Sequence, residues 1–263
     1  MNKKKFYDQH LNFSFRSLSE YFISPGIKCK FDLLREHFDP NLRFINALDL
    51  GCSGNSFLYF LHKSLHNSLL DLATMPLKQY VKKKSDSQFK NMSHFFHPLC
   101  GDVIHLPYRN KSFDFLSILD VIEHIKNEEL VIAEIYRVLK NNGLVVVTIP
   151  HRMKYYTHQD NLIGHYRRYE IKQIISKFAK SDLKCIDVFG VYGQIMRISY
   201  IQSTNAERVE KNLISLRDSY ENNAYFRKIW YRFVWIIAEV MKIEAKYRSL
   251  KKMMNIALIF RKS

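Results

Sequence analysis

The sequence predicts an α/β fold with a doubly wound, mostly parallel sheet and helices on both faces. Apolar stretches of strand length alternate along the chain with longer amphipathic stretches, which is typical of repeated strand–helix–strand units. Residues 144–149 are apolar and rich in β-branched side chains, as expected of a parallel strand that is buried on both faces. A turn of small residues follows the first apolar stretch, at the place where such sheets bind ligands.

Seven strands and their connecting helices follow from this alternation. The predicted strands cover residues 45–50, 68–71, 94–99, 113–119, 144–149, 183–189 and 256–260. The predicted helices cover residues 27–38, 56–65, 72–83, 127–140, 170–180 and the whole of 202–252. We therefore divide the chain into an N-terminal helical segment (1–44), an α/β core (45–201), a helical insertion (202–252) and a closing strand of the core (253–263).

Composition and charge narrow the class of protein. Of the 263 residues, 47% are hydrophobic and 25% charged, as in an ordinary globular protein. The formal net charge of +16 favours anionic partners such as nucleic acid, an acidic lipid surface or a phosphorylated substrate, although a solvated lysine-rich surface explains it equally well. The four cysteines show neither metal-binding nor disulfide spacing, so we expect no metal and a reducing compartment.

The sequence shows no targeting or membrane-spanning segment. The basic residues at its start are not followed by the apolar stretch of a secretory signal. No apolar stretch reaches the ~18 uninterrupted residues of a membrane span. We therefore expect a cytoplasmic protein, and attachment to a membrane surface stays open.

An acid and a small-residue turn mark the predicted ligand site. The first strand ends near Asp49, and the turn Gly51-Cys52-Ser53-Gly54 leads from it into the next helix. Such a turn lets backbone N–H groups approach a ligand closely. Asp71 follows Asp49 by 22 residues, at the end of the second strand. An acid at this spacing commonly accepts hydrogen bonds from ribose hydroxyls, whereas its structural alternative is a helix cap or a surface acid.

Two further segments follow later strands. Gly101-Asp102-Val103 follows the third strand, and Asp120-Val121-Ile122-Glu123-His124 follows the fourth. An open α/β sheet places its ligand crevice at these strand ends. Each segment is a weak signal by itself, and their order along the chain is the stronger one.

The ordered set resembles the class I, S-adenosylmethionine-dependent methyltransferases with a Rossmann-like fold, more narrowly the group that includes the ubiquinone and menaquinone biosynthesis enzymes. The resemblance covers about residues 45–193. It rests on Asp71 and on residues 48–52, 101–103, 113–114, 120–125, 135–148 and 164–169. It implies a methyltransferase whose cofactor is S-adenosylmethionine.

The resemblance also implies which residues bind that cofactor. Asp71 would hold the ribose hydroxyls, Asp102 and Val103 the adenine, and Asp120 would lie near the methionine amino group. The full implied set is Asp49, Gly51, Cys52, Ser53, Gly54, Asp71, Leu72, Asp102, Val103, Asp120 and Val121. The three alternating glycines of the family's first motif fall here at Gly51, Ser53 and Asn55, so a non-catalytic binder of the cofactor stays an alternative.

Methyl transfer is an in-line displacement that chiefly requires alignment and exclusion of water. A base is needed only for a poorly nucleophilic acceptor such as a hydroxyl. The candidate bases are His124, His151 and His165, with His158 as a further one, and each could equally be a structural histidine. Three residues could grip an anionic substrate or belong to a surface loop clamped by salt bridges, namely Tyr166, Arg167 and Arg168.

Residues 229–247 are the aromatic part of the predicted insertion, and basic residues flank them. Such a helix could lie on an anionic membrane surface, cover an apolar substrate, or pack on the sheet or in a homodimer interface. Insertions at this place in the fold usually shape the acceptor pocket. We therefore expect the identity of the acceptor to depend on this segment.

The favoured function is methylation of a small-molecule, lipid or glycan-linked acceptor at oxygen or carbon. An RNA methyltransferase is an alternative because of the net charge, but no dedicated RNA-binding module is visible. A non-catalytic scaffold is a second alternative. A dinucleotide oxidoreductase is a weaker competitor, because residues 51–56 fail at two of the three glycine positions of its fingerprint.

Overall fold

The computed structural model describes residues 17–61, 63–83, 95–196 and 206–263. They contain one seven-stranded sheet with the strand order β3-β2-β1-β4-β5-β7-β6. The strands are β1 (Phe44–Leu50), β2 (Ser64–Asp71), β3 (Phe95–Cys100), β4 (Phe113–Leu119), β5 (Leu139–Pro150), β6 (Leu183–Tyr192) and β7 (Asn255–Lys262). This order confirms the predicted doubly wound α/β fold.

The sheet is parallel except at one strand. The first five strands pair in parallel, and β7 runs antiparallel between β5 and β6. The chain builds outward from β1 to β3 and then returns to β4, which pairs with β1 on its other side. The strand order therefore reverses between β1 and β4, and open α/β sheets bind their ligands outside the carboxyl ends of the strands at such a point.

Helices pack around this sheet and are numbered here in chain order. They are α1 (Glu20–Ile23), α2 (Pro25–Glu36), α3 (Leu58–Leu61), α4 (Thr74–Lys83), α5 (Glu128–Val138), α6 (His158–Leu162), α7 (Ile171–Ala179), α8 (Ala206–Asn222) and α9 (Ala224–Tyr247). Short 3-10 turns occur at Ile122–His124, Met153–Tyr155 and Leu250–Lys252. The core lies on the central strands, where Leu48, Val146 and Leu258 are completely buried. Burial of such a side chain contributes about 1.5–3 kcal/mol.

The helix predicted at residues 56–65 is wrong in length. Helix α3 has only four residues, and β2 begins at Ser64 instead of residue 68. Ser64 pairs with Phe44 of β1, and its hydroxyl bonds the buried amide of Asn67. Because hydrogen bonds satisfy these buried polar groups, the strand extends back to Ser64 in spite of its polar residues.

Other element bounds differ less. Helix α5 ends at Val138, and β5 begins at Leu139, where it pairs with Phe113 of β4. The helical insertion is divided at Asn223, whose side chain accepts a hydrogen bond from the N–H of Phe226 at 2.9 Å and caps α9. Parts of the predicted elements, residues 1–16, 94 and 202–205, lie outside the described residues.

Helix α9 packs against α2 and β6 through a mixed face. Its buried residues include Ala238, Met241 and Lys242, and the Lys242 ammonium forms an ion pair with Glu36 of α2 at 2.5 Å. An apolar row faces away from the protein and consists of Ile229, Phe233, Ile236, Val240 and Ile243. None of the helices in the described part of the chain combines the length and hydropathy needed to span a bilayer.

Candidate functional site

The turn after β1 requires glycine at its first position. Gly51 has a φ of +68°, and a Cβ atom there would lie 2.4 Å from Cγ2 of Val121. Its N–H donates to the carbonyl of Leu70 at 2.8 Å. The turn therefore contacts both the end of β2 and the segment after β4, and a side chain at Gly51 would separate them.

Asp71 lies beside this turn, as the sequence predicted. One carboxylate oxygen accepts from the N–H of Ser53 and the other from the N–H of Ala73, both at 2.8 Å. Burial raises the pKa of Asp71, although these backbone donors oppose the shift. A carboxylate offers about four acceptor positions, so these backbone donors leave acceptor capacity for a ligand.

Asp49 supports the turn from inside the protein. Its carboxylate accepts from the hydroxyls of Ser56 at 2.5 Å and Ser117 at 2.6 Å, and from the N–H of Phe57 at 3.2 Å. Burial raises the pKa of Asp49 to about 6 against these donors. Its side chain therefore joins β1, β4 and the turn, and any contribution of Asp49 to cofactor binding acts through their positions.

The segment after β3 completes this side of the crevice. Gly101 donates its N–H to the carbonyl of Asp71 at 3.0 Å. Asp102 is exposed, and Val103 is buried. The structure thus brings the predicted ribose and adenine residues to one edge of the sheet.

Asp120 follows β4 and has a partner that sequence analysis missed. One of its oxygens accepts from Thr148 at 3.0 Å and Asn255 at 2.7 Å, and the other lies 2.5 Å from the ammonium of Lys30 in α2. Burial would raise the pKa of Asp120, but Lys30 and the two neutral donors lower it to about 2. A resident cation therefore neutralises the carboxylate that the family resemblance assigns to the methionine amino group. Lys30 lies in the helix predicted at residues 27–38, but nothing in the sequence pairs it with Asp120.

Glu123, His124 and His165 form a cluster next to Asp120. Glu123 is completely buried, and neither of its carboxylate oxygens has a hydrogen-bond partner among the described residues. Burial raises the pKa of Glu123 well above its usual range. Nε2 of His165 lies 3.7 Å from Glu123 Oε1, and the rings of His124 and His165 meet edge to face at 4.5 Å between centroids. The sequence analysis named His124 and His165 only as candidate bases. It considered metal binding only from the spacing of the cysteines, which gave no signal of this cluster.

The two arginines predicted to grip substrate are engaged inside the protein instead. The Arg168 guanidinium is buried and pairs with Asp160 at 2.8 Å. Arg167 pairs with the buried Glu128 at 2.5 Å. The arginines thus clamp residues 164–169 to the core, which favours the salt-bridged alternative, and substrate binding by Arg167 and Arg168 stays a prediction. Tyr166 is about half exposed (49%).

His151 lies at the end of β5 and is buried. Its Nδ1 lies 2.8 Å from the carbonyl oxygen of Tyr169. Because a carbonyl oxygen only accepts, the Nδ1 atom carries a proton and the Nε2 atom holds the lone pair of the neutral ring. Burial lowers the pKa of His151, which favours this neutral form at pH 7.

Comparisons with known proteins agree with this geometry. Residues 48–147 match the family model of the methyltransferase domain. The chain is 30% identical over 117 residues to an uncharacterized protein of Methanocaldococcus jannaschii (44% of this chain, 45% of that protein). It is 31% identical over 110 residues to a demethylmenaquinone methyltransferase of Lactobacillus johnsonii (38% and 41%). The matches span less than half the length of these curated relatives.

A solved structure shows the same fold. A phosphoethanolamine N-methyltransferase of Haemonchus contortus in complex with S-adenosyl-L-methionine matches at a TM-score of 0.62 and 20% identity, and covers 100% of this chain and 60% of that one. The domain match confirms the resemblance found in the sequence, and the strand order confirms the fold. Residues 48–147 therefore match a methyltransferase domain, and the sheet has the fold of the solved methyltransferase.

Proposed function

We propose that the chain is an S-adenosylmethionine-dependent methyltransferase that acts on a small-molecule, lipid or glycan-linked acceptor, at oxygen or carbon. The observation that carries the proposal is the carboxylate of Asp71. It is fixed beside the Gly51 turn by backbone N–H groups, among them those of Ser53 and Ala73, and keeps acceptor capacity for a hydroxyl of a ribose.

Further polar atoms at the same edge fit this cofactor. The side-chain oxygens of Asn55 and Asn255 are buried and have no hydrogen-bond partner among the described residues. Asn55 lies in the turn after β1, and Asn255 begins β7 beside Asp120. Buried acceptors are expected to have donors, and the ammonium and hydroxyls of S-adenosylmethionine are donors. The residues present therefore fit the cofactor, which supplies an electrophilic methyl group on its sulfonium when bound.

The contribution of the protein is alignment and, for a hydroxyl acceptor, removal of a proton. The Gly51 turn and Asp71 would fix the donor at the crevice. His151 is the best-placed base, because its neutral ring holds the lone pair on Nε2 while Tyr169 fixes the other nitrogen. Arg167 and Arg168 would act only by holding residues 164–169 in place.

The surface of α9 supports an apolar acceptor or an attachment to lipid. Its exposed row repeats at helical spacing (Ile229, Phe233, Ile236, Val240 and Ile243), and the whole chain is strongly basic. An apolar row on a basic protein suits an anionic membrane surface. A homodimer would cover the same row. Among the described residues, no contact favours nucleic acid as a partner. Only the net charge of the chain does.

Calorimetric titration with S-adenosylmethionine and S-adenosylhomocysteine tests the proposal. Wild-type protein should bind both, and Asp71→Ala should weaken binding about 10- to 100-fold, because the variant loses hydrogen bonds to a charged group. Asp218→Ala is the matched control, since Asp218 is exposed on α8. Wild-type protein that binds neither compound would overturn the proposal. Binding without methyl transfer to lipid, glycan or RNA fractions would favour a non-catalytic binder.

A further inference from the structure

Glu123, His124 and His165 have the composition of a metal site. Each offers one ligand atom, a carboxylate oxygen or a ring nitrogen, and these atoms lie within 4.8 Å of one another. Glu123 and His124 belong to the 3-10 turn after β4, and the hydrogen bond from the N–H of Tyr166 to the Glu123 carbonyl, at 2.9 Å, brings His165 to this turn. Two separate segments therefore meet at one point on the carboxyl edge of the sheet.

The charges around the cluster leave one carboxylate without a cation. Three acidic groups lie here, and two of them are paired, Asp120 with Lys30 and Asp160 with Arg168. Glu123 is the third, and it is completely buried with no hydrogen-bond partner among the described residues. A buried carboxylate is costly unless a proton or a cation neutralises it. The place is thus suited to a cation that the chain itself does not provide.

The orientation of His165 is fixed for binding through one nitrogen. Its Nδ1 lies 2.8 Å from an oxygen of Asp160, and its Nε2 faces Glu123. Histidines that bind metals commonly donate their other ring N–H to a carboxylate, which fixes the tautomer and the ring. Arg168 and the backbone and hydroxyl of Thr157 hold Asp160 in turn. His165 therefore presents a lone pair towards the carboxylate of Glu123.

We propose that Glu123, His124 and His165 bind a divalent cation of the class that prefers imidazole and carboxylate ligands, for which Zn²⁺ is the model. Metal–ligand distances of about 2.1 Å in a tetrahedral site separate neighbouring ligand atoms by about 3.4 Å. The 3.7 Å between His165 Nε2 and Glu123 Oε1 is close to this value. The widest separation is at most 4.8 Å, so metal binding would draw these ligand atoms together by up to about 1.4 Å.

Three protein ligands leave at least one coordination position open. This position lies at the crevice beside Asp120. Its role rests on the proposed methyltransferase function. The open position would bind an oxygen of the acceptor, and a bound cation makes the proton on that oxygen easier to remove. The acceptor would then be a hydroxyl compound, methylated at oxygen.

Cobalt titration of the full chain, without a histidine tag and stripped by a chelator, tests the site. Wild-type protein should bind one equivalent of Co²⁺ with a visible spectrum of nitrogen and oxygen ligation, and Zn²⁺ should displace it. Glu123→Gln and His165→Ala should each weaken this binding by more than about 100-fold. His105→Ala is the matched control, because His105 is exposed on the segment after β3, and it should still bind one equivalent.

The outcomes separate the site from the proposed function. Glu123→Gln removes a buried charge at nearly constant shape, so we expect it to fold, and circular dichroism checks this. Wild-type protein without a bound equivalent of Co²⁺ would overturn the metal site, as would binding that survives both substitutions. Metal binding in a protein that does not bind S-adenosylmethionine would instead overturn the methyltransferase proposal alone.

Discussion

The two sides of the crevice are built in different ways. At the ends of β1 to β3, backbone groups close in sequence or on neighbouring strands hold the acid, as Ser53 and Ala73 hold Asp71. At the ends of β4 and β5 and the start of β7, side chains distant in sequence hold Asp120. Asp120 meets Lys30 from 90 residues earlier and Asn255 from 135 residues later.

This difference affects both charge and specificity. Backbone N–H groups stabilise a carboxylate and leave it free to bind a neutral donor such as a hydroxyl, so the first side suits a ribose. Ion pairs neutralise Asp120 and Asp160 on the second side, whereas the Glu123 carboxylate has no hydrogen-bond partner among the described residues and lies 3.7 Å from Nε2 of His165. The first side thus offers acceptors to a neutral donor, whereas most of the carboxylates on the second side are already paired.

The largest effect is expected from breaking the buried pair on the second side. Asp160→Ala leaves the buried Arg168 guanidinium without its carboxylate and should lower the free energy of unfolding by about 3–5 kcal/mol. Glu170→Ala breaks the exposed pair with Arg152 and should cost no more than about 1 kcal/mol. Urea denaturation measures both. Equal losses would show that the second side does not depend on its buried charges.

A smaller effect is expected from the backbone turn on the first side. Gly51→Ala combines a positive φ with a contact of 2.4 Å to Val121 and should cost more than about 2 kcal/mol and abolish cofactor binding. Gly164→Ala has a φ of +80° with nothing within 4 Å of the added Cβ, so it should cost only about 1–2 kcal/mol. The difference in the free energy of unfolding between the two variants measures the cost of the close contact between the added Cβ atom and Val121. If Gly51→Ala binds S-adenosylmethionine normally, the turn does not shape the site.

The smallest effect is expected in the pH dependence of stability. In the folded protein, burial would raise the pKa of Asp120, but Lys30 lowers it from its ordinary value of 3.8 to about 2. Its stabilisation is therefore present above about pH 4 and lost as pH falls from about 4 to about 2. In Lys30→Met, the free energy of unfolding should therefore fall less over this pH range than in the wild type, by on the order of 2 kcal/mol.

The measurement is the free energy of unfolding of wild type and Lys30→Met at several pH values in that window. Lys177→Met is a suitable control, because Lys177 pairs with Glu128 and Glu129 and not with Asp120. Parallel pH curves for wild type and Lys30→Met would show that Lys30 does not set the charge of Asp120.

The strands illustrate what can be predicted from sequence. The fourth strand was predicted with its observed bounds, because a mostly apolar stretch of strand length can be recognised in the sequence without knowing its partner strands. The start of β2 was missed, because Ser64 and Asn67 become acceptable in a buried strand only through hydrogen bonds to each other and to β3. Helix bounds at 56–65 and 127–140 were wrong for the same reason, since strand pairing overrides local spacing.

The sequence by itself determined the fold class, the resemblance of residues 48–147 to a methyltransferase domain and the positions of the Gly51 turn, Asp71 and Asp102 relative to the strands. All of these depend on residues close in sequence or on the ordered alternation of elements, which one chain displays directly. Only the tertiary structure decided that Lys30 neutralises Asp120, that Arg168 pairs with Asp160, and that Glu123 meets His165. These contacts join segments of the chain whose spacing carries no signal, and their energies depend on burial, which exists only once the chain has folded.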